Sequence, residues 1–144
     1  LARGNFKESH GRINVPVGRS LSDPAKMSVT GVRGREAITH FEVVERFGVA
    51  TLLALRLETG RTHQIRVHMQ HRGYPLIGDP LYGDKKGVRS SIVTAIPDFK
   101  RQALHAYQLG LIHPRTQEEM LFEAPWPEDF KNLVQVLREE NAAY

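Results

Sequence analysis

Leu57-Glu58-Thr59-Gly60-Arg61-Thr62-His63-Gln64-Ile65-Arg66-Val67-His68-Met69 is the stretch whose reading decides this chain. It reads as the end of a strand, a tight turn and a helix that opens on polar residues. Thr59-Gly60 supplies the turn, since glycine tolerates the backbone angles a tight turn requires. Thr62 is placed to cap the helix, and Gly73 to end it about three turns later. Ile65 and Met69 share a core-facing side, while His63 and Arg66 share another. A guanidinium, an imidazole and the Gln64 amide thus meet at one helix entrance, with Arg61 just ahead.

Working outward, Thr39–Phe47 alternates apolar and polar residues apart from a second valine at Val44. Gly48-Val49 turns the chain, and Ala50–Glu58 puts Thr51, Leu53, Leu55 and Leu57 on one face. These runs predict an antiparallel hairpin. Leu1–Lys26 lacks periodicity and reads as extended loop, with room for a short strand at Arg12–Val17. After the motif helix come a Gly-Asp-Pro turn and a loop, Asp84–Ser91, holding Lys85, Lys86 and Arg89. The run up to Pro97 reads equally as a short helix or as extended chain. Ala103–Ile112 predicts a long strand, His113–Thr116 a turn and Glu119–Ala124 its partner. Pro127 suits a first helical position, with Glu128 and Asp129 complementing the helix dipole. Phe130, Leu133, Val134 and Leu137 then repeat at helical spacing. The fold class is mixed α/β (α+β): a largely antiparallel sheet with two principal helices.

At 144 residues the chain is sized for one domain or a large piece of one. With no cysteine, a disulfide scaffold, thiol catalysis and thiolate metal sites are excluded. No apolar run approaches a membrane span, which points away from a membrane and towards the cytoplasm. The net charge of +4 is unevenly spread: 18 of the 20 basic residues precede residue 118, together with only 9 of the 16 acidic ones. The basic part contains the motif. Of the 20 basic residues 14 are Arg, whose planar fork suits phosphates and bases.

Each candidate has a plainer alternative. Arg66 lies on one side of an amphipathic helix, where most arginines are solvated. His63 and Gln64 suit capping the first helical turn and holding the strand–helix junction as well as touching a ligand. Arg61 precedes a set of open helix N–H groups and suits a phosphate, or plain solvent. Lys85, Lys86 and Arg89 suit a solvated loop. Asp79, before Pro80, reads as a hydrogen-bonded turn residue, and Tyr107 and Trp126 as core or sheet-edge residues rather than stacking platforms. His63 and His68, five apart, point about 140° from each other on a helix. His68 and His71 are neighbours but lack the H-E-x-x-H pattern, so zinc is not expected.

The central string resembles motif III of the RluA-type pseudouridine synthases, which modify uridines in RNA. Pro75-Leu76-Ile77-Gly78-Asp79-Pro80-Leu81-Tyr82-Gly83 follows at the spacing of that family. Arg101-Gln102-Ala103-Leu104-His105-Ala106 and His113-Pro114 resemble its later segment. Gly11-Arg12-Ile13 to Pro16-Val17-Gly18-Arg19 resembles the segment before motif III. The likeness covers nearly all of residues 11–138. One departure stands out: the family's nucleophilic aspartate sits upstream in an R-L-D-x-x-T-S-G motif, followed by a tyrosine motif, and neither is in the chain. Arg56-Leu57-Glu58 has Glu in place of Asp. The chain also starts at Leu1, not Met, and enters the family pattern in its middle.

The resemblance implies that residues 1–144 are the C-terminal portion of a pseudouridine synthase catalytic domain. It implies isomerisation of uridine in structured RNA, ribosomal RNA first: the N1–C1′ bond breaks, the uracil turns and C5 bonds to C1′. No cofactor and no metal are implied, and a monomer is expected. Arg66 becomes the catalytic arginine, paired with the upstream aspartate. Arg61, His63, Gln64, Leu104, Lys85, Lys86 and Arg89 become substrate-binding candidates. Arg66 is then expected at the edge of an open, apolar-walled cleft, with no carboxylate of this chain holding it bidentately. Two other classes remain: a non-catalytic RNA-binding module of the same fold, and a small metal-dependent hydrolase, which the ligand spacing argues against.

Overall fold

β6 (Ile38–Arg46) and β7 (Ala50–Leu57) form the antiparallel hairpin around which the chain is built. The computed structural model describes residues 1–23, 25–29, 32–83 and 101–142. Thr39 lies opposite Leu57 and Val43 opposite Leu53, but Glu45 faces Leu52. Val44 is therefore an extra residue, bulged from the ladder and 60% exposed. The doubled valine that breaks the alternation is this bulge. Gly48 makes the turn at φ +82°, a region open to glycine at little steric cost.

β2 (His10–Asn14) pairs with β6 and β1 (Ala2–Arg3) with β7, giving the order β1-β7-β6-β2. Beyond β1 single links carry the sheet on: Ala2 bridges Leu76, Ile77 N–H donates to Leu1 O, and Ala103 N–H donates to Ile77 O. β3 (Val17–Arg19), β4 (Met27–Ser28) and β5 (Val32–Arg35) form a second antiparallel sheet in the order β4-β3-β5. β8 (Gln108–Ile112) pairs with β9 (Glu119–Glu123) as a separate hairpin.

Successive side chains of a strand point to opposite faces, and the central sheet buries both. On one face Phe47, Ala50 and Leu52 pack with Phe130, Leu133, Val134 and Leu137 of α2 (Glu128–Ala142). On the other, Ile13, Phe41, Leu53 and Leu55 pack with Met69 and Ile65 of α1 (Gln64–His71). The sheet is thus the middle of three layers. Largely antiparallel sheets with two helices among the described residues match the expected fold class.

Several expectations need correction. Leu1–Lys26 is mostly loop as expected, but it holds three short strands, β1, β2 and β3, rather than the one expected at Arg12–Val17. The strand expected at Ala103–Ile112 begins only at Gln108, because Ala103 is bound to Ile77. Tyr107, 44% exposed just ahead of β8, fits the sheet-edge reading and not the core one. Asp84–Ser91 and the run to Pro97 lie outside the described residues.

An eight-residue helix such as α1 is too short to hold itself in water, so tertiary contacts must hold it. Part of the hold is a buried polar chain. Gln64 Nε2 donates to Thr39 Oγ1 (3.0 Å), whose hydroxyl donates to His68 Nδ1 (2.8 Å). His68 Nε2–H then donates to Val15 O (2.8 Å). A neutral His68 carries its proton on Nε2, which the Val15 carbonyl requires, and accepts at Nδ1. Burial lowers its pKa from the ordinary 6.5, against the opposing pull of the Val15 carbonyl.

The unfolded chain takes up a proton on His68 as pH falls through the ordinary imidazole range, and the folded chain resists. The unfolded state then binds more protons, so acidification costs stability that is fully present above that range. Urea unfolding should show stability falling from about pH 7 to about pH 5, and His68→Gln should make that fall shallower. An equally steep fall in the variant would assign the titration to His63, whose pKa is also lowered.

Candidate functional site

The turn between β7 and α1 is not made as the sequence suggests. Gly60 keeps a negative φ, and the left-handed residue is His63, at φ 54° and ψ 22° in the N-cap position. Thr62 does not cap α1, and no side chain bonds the cap. A non-glycine residue held in this region signals local strain that the surroundings must over-determine. His63 Nδ1 lies 2.8 Å from Tyr82 Oη, and the two rings meet edge-on. The far end of α1 follows expectation. Gly73, at φ +88°, closes a Schellman motif in which Tyr74 N–H reaches Met69 O and Gly73 N–H reaches Gln70 O.

Gln64 is buried with every hydrogen-bonding position used. Its amide donates to Ile38 O (3.1 Å) and Thr39 Oγ1, while Oε1 accepts from Thr59 Oγ1 (2.7 Å) and Arg61 N (3.0 Å). A side-chain amide offers two donors and an acceptor oxygen with two lone pairs, so nothing is left for a ligand. The substrate-binding assignment of Gln64 is therefore corrected: it fastens the strand–turn–helix junction. Arg61 is half tied down as well, with Nε donating to Glu36 O at 2.9 Å.

Arg66 overturns the central expectation. Its Nε donates to Asp79 Oδ2 at 2.9 Å and its Nη2 to Asp79 Oδ1 at 2.8 Å, a bidentate pair buried in the chain. Arg66 is 8% and Asp79 7% exposed. Asp79 Oδ1 also accepts the N–H groups of Leu81 and Tyr82. Burial alone raises the Asp79 carboxyl, but Arg66 and these two N–H groups outweigh it and hold the pKa below the ordinary value. The Asp79 bond pushes the Arg66 pKa up. Arg66 is thus a structural arginine in this chain, fastening α1 to the Gly78-Asp79-Pro80 turn. It is not an unpaired cation at a cleft edge. Asp79 takes the turn role read from its place before Pro80.

Tyr82, which no local pattern singles out, links these residues. It is 2% exposed; its hydroxyl accepts Met27 N–H and meets His63, and the Arg66 guanidinium lies 5.0 Å from its ring centroid. The Gly78–Gly83 string contains it, but nothing there marks a tyrosine as the partner of residues sixteen and nineteen positions earlier. Burial and the nearby Arg66 charge lower the His63 pKa, with Asp79 opposing. Leu104 is half-buried and packs against the cluster containing Phe41 and Met69, so it lies in an apolar wall. Lys85, Lys86 and Arg89 lie outside the described residues. Among the described residues no three His, Cys, Asp or Glu side chains are grouped to hold a metal.

Comparison with known proteins places this arrangement. The family described as RNA pseudouridylate synthase matches residues 2–71. The RNA pseudouridine synthase YlyB of Bacillus subtilis is 49% identical over 138 residues, covering 96% of this chain and 42% of that protein. Ribosomal large subunit pseudouridine synthase D of Pseudomonas aeruginosa is 46% identical over 140 residues, covering 94% of this chain and 43% of that protein. The Escherichia coli protein of the same name is 45% identical over 132 residues, covering 89% and 40%. Among solved structures, human RNA pseudouridylate synthase domain containing 1 superposes with a TM-score of 0.70 at 27% identity, over 95% of this chain and 62% of that one. The chain resembles the RNA pseudouridine synthases along nearly its whole length. It spans about two fifths of the length of the curated relatives it matches.

Breaking a buried ion pair from one side strands the other charge and costs about 3–5 kcal/mol. Asp79→Ala should therefore lower the unfolding free energy of the chain by about that amount, and Arg66→Ala should be comparably harmful. Denaturant titration decides it: a loss under about 1 kcal/mol for both variants would place the pair among weak surface contacts.

Proposed function

We propose that this chain is the C-terminal portion of the catalytic domain of an RNA pseudouridine synthase that isomerises uridine in ribosomal RNA. The observation behind this reading is that the similarity to the pseudouridine synthases runs through the whole strand–turn–helix and on past the Asp79–Tyr82 turn. In the reaction the N1–C1′ bond breaks, C5 bonds to C1′, the C5 hydrogen leaves to solvent as a proton and N1 takes one up. The nucleophilic carboxylate comes from chain upstream of residue 1.

Arg66 then has a revised part. Asp79 occupies the side-on edge of the guanidinium, Nε and Nη2. Five N–H donors in a planar fork leave an end-on edge, Nη1 and the second Nη2 hydrogen, which has no partner among the described residues. A second carboxylate fits there, so one arginine can hold the turn and keep an upstream aspartate ionised at once. Arg61, His63 and Leu104 would contact the target nucleotide, and Lys85, Lys86 and Arg89 would add cations for the RNA backbone. The reaction as written needs no cofactor.

The complete protein should release tritium from large-subunit ribosomal RNA labelled at uridine C5. Binding of that RNA without any tritium release would favour the non-catalytic RNA-binding reading. Arg66→Lys should abolish release, because an ammonium is one point charge and cannot hold two carboxylates in a fork. Full turnover in that variant would remove Arg66 from the chemistry.

A further inference from the structure

The face of the central sheet that α2 covers at the Phe47–Leu52 end has, among the described residues, no helix over its other end. There a groove of about 760 Å³ is lined by His10, Arg12, His40, Glu42, Arg56 and Tyr107. Strand register explains the alignment. Arg12 of β2 lies opposite His40 of β6, and His40 lies opposite Arg56 of β7, so the three side chains form one row across three strands. Side chains on the alternate positions, Thr39 and Phe41, serve the α1 layer. The row therefore lies on the opposite face of the sheet from the Arg66–Asp79 pair.

The state of the charges matters more than their number. His40 Nε2 is held by Glu58 at 2.8 Å. Arg12 and Arg56 flank it, both exposed, and neither has an ion-pair partner among the described residues. Elsewhere in the described chain Arg72, half-buried, and Arg138, exposed, are each closed by a glutamate, whereas the exposed Arg35 and Arg115 have no ion pair but no aromatic groove beside them either. Glu42, one step along β6 from the row, limits the positive stretch to a narrow line. Adjacent strands lie about 4.8 Å apart, which sets Arg12 and Arg56 about two such steps from each other. Tyr107 stands over the groove, 44% exposed. Unpaired cations in a line beside an exposed aromatic ring are what a single nucleic-acid strand requires: phosphates for the guanidiniums and a base for the ring.

We infer that this groove binds single-stranded RNA flanking the target nucleotide, with Arg12 and Arg56 on successive stretches of phosphate backbone and Tyr107 under a base. The inference rests on the RNA reading above and adds to it a second contact surface, remote from the Arg66 cluster. The row is read by its charge, so the contact is sequence-tolerant and salt-sensitive.

The test uses the complete protein and a uridine-containing oligoribonucleotide, with dissociation constants measured across a salt series. Each phosphate contact to a single strand contributes about 0.7 to the slope of log affinity against log salt. Arg12→Ala with Arg56→Ala should therefore reduce that slope by about 1.4, while Lys131→Ala on α2 should leave it unchanged. Tyr107→Ala should weaken binding about five-fold or more with the slope preserved. Photocrosslinks from 4-thiouridine should fall on the peptide containing Tyr107. An unaltered slope in the double variant, with parent binding intact, overturns the groove and leaves the pseudouridine synthase reading standing. Loss of RNA binding by the parent protein itself would instead overturn both. Thermal melts of the variants, all at exposed positions, show whether each is folded when measured.

Discussion

The bidentate pair between Arg66 and Asp79 is the constraint on which the functional half of this structure depends. It joins residues thirteen apart, from a short helix and from the turn that follows it. Without it α1 has only its buried residues and a polar chain to hold it, and the Asp79 turn is left to the hydrogen bonds of Tyr82 and Ile77. Both partners are buried, so the pair is worth most as a device for geometry: hydrophobic replacements of similar volume can match such a pair in stability. What they cannot reproduce is a guanidinium plane held in fixed orientation against Tyr82, with its other edge left over. The same clamp that immobilises Arg66 thereby decides which of its hydrogens are available.

A second layer of constraint sits at the other end of the helix. Gln64 is saturated by Ile38, Thr39, Thr59 and Arg61, which draws β6, the turn and α1 to one point. His63 is forced to a left-handed backbone at this point. Its ring is thereby delivered to Tyr82. Polar residues at the helix entrance, which suggest ligand contact when read along the chain, are largely consumed in making that entrance.

The central hairpin is legible in the sequence because sustained alternation of apolar and polar residues is the signature of a strand with two unlike faces, and even its bulge is written in Val43-Val44. The C-terminal helix is equally clear from its apolar spacing. The first strands are not, because two to five residues interrupted by glycine and proline are too short to show a period. At the site, residue types are readable and partners are not. Arg66 needs Asp79 thirteen positions on, Gln64 needs Thr39 twenty-five positions back, and His63 needs Tyr82 nineteen positions on. Local pattern carries no information about such pairings, so a satisfied polar group and a waiting one look alike.

The β8–β9 hairpin carries a consequence for handling the chain. Its strands are exposed almost throughout, with Leu109, Ile112 and Leu121 each more than 60% open to solvent and Phe122 about half open. Two strands alone are marginal in water, and among the described residues each has a free edge of N–H and C=O groups. Such a ribbon is a template for sheet addition by other copies, restrained mainly by the carboxylates of Glu119 and Glu123 along β9. The charges placed along β9, rather than cover or further pairing, therefore limit edge-to-edge self-association of this ribbon among the described residues.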